Sequence, residues 1–228
     1  YGQALLTDLD TDLTRYGEVP FTSVFFGGGT PSLMPPEAIW PLFDALHRRG
    51  LIDLSTEITL EANPGTRDLG HLSGYRALGI NRLSIGVQSF QAPQLEALGR
   101  IHNAEDARAM VAEAKVAGFD QINIDLMHGT PGQTPEAALA DLQIIEALGI
   151  RHLSWDQLTI EANTAFYSSP PKLPDESTLE ATDSAGHQFI EAMGLVHYEV
   201  SAYAVPGEEA RHNVNYWEFG DYLGLGAG

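Results

Sequence analysis

The sequence has no cysteine among its 228 residues. That excludes disulfides and any thiolate-ligated metal within this stretch. Cationic residues are also scarce: 12 Lys and Arg stand against 31 Asp and Glu, a formal net charge of −19. So acidic a surface repels phosphate backbones, and nucleic acid is not an expected partner. No apolar run approaches the roughly 18–20 residues of a membrane span. The start carries Asp8, Asp10 and Asp12, which is not a signal peptide. These absences point to a cytoplasmic protein with no integral membrane segment. Hydrophobic residues make up 43% and charged residues 19%, enough for a real core. The first residue is Tyr1 and the last five alternate glycine with Leu225 and Ala227, so both ends read as cuts.

What is present is a repeat. Four segments begin with the glycine that ends a helical pattern, followed by an apolar residue and a strand. They start at Gly79, Gly118, Gly149 and Gly194, about one βα unit apart. Within them Leu83/Ile85, Ile122/Ile124, Leu153/Trp155 and Tyr198/Val200 share one phase. Ser84/Gly86, Asn123/Asp125, Ser154/Asp156 and Glu199/Ser201 share the other. Period two puts the two sets on opposite faces, one apolar toward helices and one polar. A parallel strand buried on both faces would be apolar throughout. Two earlier strands fit, Thr22 to Phe26 and Glu57 to Glu61, with Ile58 and Leu60 outward.

Helices are expected from about Pro36 to Arg49, from Pro135 after an N-cap Thr134, and from about Ser177 to Met193. Ile39, Leu42, Phe43 and Leu46 form the buried stripe of the first, and Ala138, Leu142 and Ile145 that of the second. The stretch from Glu161 to Asp175, with three prolines, reads as a loop or a crossing to a second subdomain. The predicted fold is α/β, a partial barrel of the (β/α)6 type with a polar interior, truncated at both ends. A doubly wound open sheet is the alternative.

In such barrels the working residues lie where strands end. Gly28, Gly29 and Thr30 follow the first strand, and Glu61, Gln88 and Asp125 end three others in the inward phase. The glycine cluster is either a tight turn or a cradle of free N–H groups for a carboxylate. Glu61 alone reads equally as a satisfied core carboxylate, and Asp125 as a cap of the following turn. Three such groups together favour a shared ligand, because an isolated buried charge is costly. Phase does not place Arg100. His102, His128 and His152 are expected to be structural or on the surface.

Four segments carry a resemblance, in order and over nearly the whole chain. They are Gly27-Gly28-Gly29-Thr30-Pro31, Glu61-Ala62-Asn63-Pro64-Gly65, Arg82 to Phe90 with Leu98 to His102, and Asn123 to Thr134. The chain resembles radical S-adenosylmethionine (SAM) proteins of the oxygen-independent coproporphyrinogen oxidase group. The resemblance implies that Gly28, Gly29 and Thr30 hold the amino-acid part of SAM. It implies that Glu61, Gln88, Arg100 and Asp125 complete the pocket, with Arg100 suited to the SAM carboxylate. It also implies a [4Fe–4S] cluster on a CxxxCxxC motif, whose ligands must lie outside this chain. Residues 1–160 would then be a barrel core lacking its first strand and cluster loop. Residues 161–228 would hold the last unit and the start of a haem- or substrate-binding region. A barrel without its first strand exposes an edge, so poor solubility in isolation is expected.

Two segments point to the group's haem-chaperone (HemW-like) branch, Leu153 to Thr164 and His212-Asn213-Val214-Asn215-Tyr216-Trp217. Asp156 stands where an aromatic residue is expected. The resemblance implies haem binding by His212, Asn213, Tyr216 and Trp217, with His212 as axial iron ligand. A loop near the barrel mouth is their expected setting. Otherwise His212 and Asn213 cap a turn, and Tyr216 and Trp217 belong to a core. Haem or a porphyrin, an acceptor protein and an electron donor would be the partners. The alternatives are a coproporphyrinogen III oxidase acting as a dehydrogenase, and a cluster-less barrel for another small molecule.

Overall fold

The computed structural model describes residues 2–65 and 70–227. Helix α1 (Gly2–Tyr16) leads into strand β1 (Ser23–Phe26) and a 3-10 turn at Pro31–Leu33. Then follow α2 (Pro36–Arg48), β2 (Glu57–Ala62), α3 (Leu72–Leu78), β3 (Arg82–Gln88), α4 (Ala92–Ala97), α5 (Ala104–Val116) and β4 (Gln121–His128). The chain continues with α6 (Pro135–Leu148), β5 (His152–Gln157), α7 (Ala165–Ser168), α8 (Glu176–Ala192), β6 (Val196–His197), β7 (Ala202–Ala204) and α9 (Arg211–Trp217). Strands β1 to β5 are parallel neighbours in sequence order, and the sheet runs β1-β2-β3-β4-β5-β7-β6. β1 and β6 are its two edges and do not pair with each other, so the sheet is a partial, unclosed barrel.

The local chemistry explains the elements. Thr134 accepts from the Ala137 N–H, Pro135 opens α6, and Gly149 ends it in the left-handed conformation. Asn103 and Asp106 form a reciprocal capping box on α5. The outer face of the sheet supplies Ile58, Leu60, Leu83, Ile85, Ile124 and Leu153, all at most 2% exposed. Against them pack Phe43 of α2, Tyr75 of α3, Met110 of α5 and Leu142 of α6. Each such side chain contributes roughly 1.5–3 kcal/mol by leaving water. Buried Tyr75 also donates from its hydroxyl toward the Ser32 and Met34 carbonyls, at 2.7 and 2.6 Å, and so fixes the loop after β1.

The predicted phase holds for β2 to β5 and fails in the last repeat. There the strand from Gly194 stops after Val196–His197. The chain turns and returns as β7, antiparallel, between β5 and β6. Tyr198 points inward rather than outward, its hydroxyl 2.7 Å from His152, and Val200 is exposed. Ala202-Tyr203-Ala204 is buried throughout. The loop from Glu161 to Asp175 contains the single turn α7. The His212 motif is not a loop: it forms α9.

Candidate functional site

The parallel register lines up the inward residues. Glu61 faces Ser84, Ser84 faces Asn123, and Asn123 faces His152 across four strands. Asp125 faces Ser154 one step further along. The polar phase read from the sequence therefore becomes one polar surface.

At the C-terminal ends of the strands, the Gly28 N–H donates to Glu61 Oε2 at 3.1 Å. Gly28 has φ +83°, a backbone shape that disfavours other residues, so the turn presents its amide to the carboxylate. Burial raises the pKa of Glu61, and this hydrogen bond opposes the rise. Asn63 Nδ2 donates to Thr30 Oγ1 at 3.2 Å. A Cβ on Gly86 would stand 2.9 Å from Asn63 Oδ1 and 3.1 Å from Gln88 Nε2, so glycine makes room for both amides. Gln88 itself has φ +69° at a register shift in β3.

Asp125 is held by neutral donors. Ser84 Oγ lies 3.3 and 3.2 Å from its two oxygens, and Asn123 Nδ2 lies 2.7 Å away. Desolvation pushes its carboxyl up to about 6 against the pull of these hydrogen bonds. Burial drives His152 down to about 3, so it is neutral. Arg100 is exposed after α4. Among the described residues, no hydrogen bond or ion pair joins its guanidinium to Glu61, Gln88 or Asp125. His102 is buried with Nε2 2.9 Å from the Val87 carbonyl, and His128 is buried in a stack on Trp155. Both pack into the interior, away from the surface. A groove of about 410 Å³ between Pro36, Trp40 and Leu78 lies on the outer helical layer, away from all of these groups.

At the opposite end, α9 covers β1 and the start of β2. Arg211 Nη1 donates to the Ser55 carbonyl at 2.7 Å, and the His212 N–H to Glu57 Oε1 at 3.3 Å. The His212 ring stacks on Phe25, 4.4 Å between centroids, and meets Tyr216 edge-on at 5.3 Å. Desolvation lowers its pKa, against the opposing charge of Glu57. No hydrogen bond engages either ring nitrogen among the described residues. Tyr216, Trp217, Phe219 and Tyr222 are all exposed around it, with Tyr222 stacked on Tyr216.

The chain matches the radical SAM superfamily over residues 7–145. It belongs to that superfamily. It is 47% identical over 228 residues to haem chaperone HemW of Escherichia coli, covering all of this chain and 60% of that protein. It is 48% identical to the Haemophilus influenzae haem chaperone HemW, covering 98% and 60%. Radical S-adenosyl methionine domain-containing protein 1 of mouse mitochondria is 37% identical, covering 98% and 52%. Among solved structures, coproporphyrinogen III oxidase (HemN) from Escherichia coli superposes with TM-score 0.79 at 25% identity, over 95% of this chain and 51% of that one. The chain thus spans about 60% of the length of the HemW relatives.

The radical SAM barrel brings together the nominated Gly28, Glu61 and Thr30, and it aims Gln88 and Asp125 at the same face. Three residues that support the site are not marked by the sequence reading. Asn63 lies inside a quoted motif, so its signal was available. Asp141 of α6 is 2% exposed and accepts from Ser89 Oγ, the Phe90 N–H and Gln91 Nε2, which holds the loop after β3. Its signal is a carboxylate at i+3 from Ala138 on the buried stripe. Tyr198 carries no such signal, because Val196 to Ser201 alternates like a strand while the observed strand ends at His197.

The donor set suits SAM. Glu61, Asn63 and Thr30 gather at the glycine turn and Asp125 lies on the same polar face, together a complement for an ammonium and ribose hydroxyls. It does not suit a [4Fe–4S] cluster, because no thiolate is present. Among the described residues, no helix is long and apolar enough to cross a membrane.

Proposed function

We propose that this chain is the SAM-binding barrel of a cytoplasmic haem chaperone that delivers haem to an acceptor protein. Gly28, Gly29 and Thr30 would hold the amino-acid part of SAM, with Glu61, Gln88 and Asp125 around the ammonium and ribose. Arg100 would supply the partner of the SAM carboxylate. SAM beside a reduced cluster supplies radical chemistry in this superfamily; the cluster ligands and the electron donor would have to come from outside these residues. The carrying observation is His212: a half-buried imidazole with lowered basicity and, among the described residues, no hydrogen bond on either nitrogen, next to exposed Tyr216 and Trp217. A neutral imidazole is what an iron ligand requires. Asn213 would fix the position of the motif helix, and the aromatic rings would flank the macrocycle. Haem titrated into the full-length protein should give a bound spectrum that His212→Ala loses or shifts. An unchanged spectrum in the variant removes His212 as the ligand.

The likeness to coproporphyrinogen III oxidase supports the second reading, a dehydrogenase acting on coproporphyrinogen propionates. Protoporphyrinogen formation by full-length protein with SAM and reductant would establish it, and its absence alongside haem binding would leave the chaperone.

A further inference from the structure

One chain of hydrogen bonds crosses the molecule from the motif helix to the SAM-side carboxylate, and its ends fix its polarity. Asp125 offers only acceptors when ionised, so Asn123 turns its amide nitrogen toward it at 2.7 Å. Asn123 Oδ1 therefore faces His152 Nδ1, 2.7 Å away, and that nitrogen carries the proton. In a neutral imidazole the other nitrogen accepts. His152 Nε2 then accepts a hydrogen bond from the Tyr198 hydroxyl at 2.7 Å. The Tyr198 oxygen in turn accepts from Asn213 Nδ2 at 3.0 Å and from the Ala210 N–H at 3.4 Å. Every donor points the same way, from α9 to Asp125. The links are short and mostly shielded: His152 is 2% and Asn123 5% exposed. Such a chain polarises as a unit, so a change at one end is felt at the other.

We infer that Tyr198 and His152 are positioning residues that couple ligand occupancy at Asp125 to the placement of α9. A ribose hydroxyl or cation arriving at Asp125 competes for the carboxylate oxygens that Asn123 and Ser84 now hold. Asn123 then shifts, and the shift passes through His152 and Tyr198 to the N-terminal turn of α9. Coupling of this kind is reciprocal, so a ligand on α9 also changes SAM affinity. The inference rests on Asp125 belonging to the SAM pocket.

The test uses the cluster-loaded, full-length protein, with SAM binding measured by equilibrium dialysis. Amide exchange over residues 211–217 is followed with and without SAM. SAM should change the exchange of this segment in the wild type. Tyr198→Phe, which keeps the ring and removes one hydroxyl, should bind SAM with near-wild-type affinity and lose that response. His152→Gln, which keeps an amide for Asn123 and removes Nε2, should behave in the same way if Tyr198→Phe folds poorly. A second readout is haem affinity, which SAM should change roughly fivefold or more in the wild type and not in the variants. SAM binding without any exchange response in the wild type overturns the inference, as does a response that survives both substitutions. No SAM binding at all overturns the pocket reading and the coupling with it. Failure to bind haem strikes only the chaperone reading, because the exchange response does not require haem.

Discussion

The two ends of the barrel interior are built from the same phase of the same strands, yet their charges are treated in opposite ways. At the N-terminal ends, Arg82 and Glu57 pair at 3.1 Å with side chains 4% and 11% exposed. Arg82 also donates to the Glu208 carbonyl at 2.7 Å, and Arg151 pairs with the Glu208 carboxylate. Arg82 and Arg151 thus each have a carboxylate partner there. At the C-terminal ends, Glu61 has one backbone amide and Asp125 has only neutral donors. No Lys or Arg is bonded to either among the described residues. Both carboxyls are consequently raised in pKa by desolvation. The first end is a closed structural clamp. The second leaves negative charge under-compensated, which is how a site for a cationic, hydroxyl-rich ligand is prepared.

The clamp should break hardest. Arg82→Ala leaves Glu57 buried without its cation, and unfolding in urea should show a loss of about 3–5 kcal/mol. Replacing both partners with apolar residues, Arg82→Met with Glu57→Leu, should recover most of that loss. A loss under about 1 kcal/mol for the single substitution would mean that water already reaches the pair.

The open end should show itself through pH. Asp125 titrates near 6 in the fold, against about 3.9 unfolded. A raised folded pKa means the folded state holds the proton more tightly. The stabilisation is fully present below about pH 4 and is lost as pH rises through 6. Asp125→Asn removes this titration. In ligand-free protein, the variant's stability minus that of wild type should rise by about 2 kcal/mol between pH 4 and 6.5 and then stay level, after allowance for partial exposure. His152, held down to about 3, also loses stability in acid, so the same difference is taken in a His152→Gln background to isolate Asp125. A flat difference curve would show that Asp125 is not desolvated.

This contrast was partly legible in the sequence. The alternation of Ser84, Asn123 and Asp125 against Leu83, Ile122 and Ile124 is a backbone fact with period two, so it placed the interior face without any knowledge of packing. The glycine before each strand marked the helix ends for the same local reason. What stayed hidden was non-local. Glu57 and Arg82 each sat in the inward phase, but which end of the barrel is closed by residues 208–212 depends on a chain reversal more than a hundred residues later. The letters of Val196 to Ser201 alternate like a strand, and nothing local reveals that Ala202 to Ala204 is the better-fitting partner for β5. That one slip concealed Tyr198. Arg100 shows a different limit: the motif points to it, but among the described residues no hydrogen bond or ion pair ties its exposed guanidinium to either carboxylate, so its role rests on the resemblance alone.

The smallest stability effect should come at Glu61, and it separates holding the fold from holding a ligand. Glu61→Gln keeps an acceptor for the Gly28 N–H and removes a charge that burial disfavours. The two changes oppose each other, so unfolding free energy should move by less than about 1 kcal/mol in either direction. SAM affinity should respond differently, because an amide no longer offers a charged acceptor to an ammonium. A charge-assisted hydrogen bond contributes about 1.5–3 kcal/mol, which corresponds to roughly 10- to 100-fold weaker binding. Measuring both quantities on one preparation sharpens the comparison: at Arg82 stability falls, whereas at Glu61 affinity falls and stability does not. If Glu61→Gln instead lowered stability by several kcal/mol with SAM affinity intact, the C-terminal end would be a second structural clamp and the proposed cradle would have to lie elsewhere on the sheet.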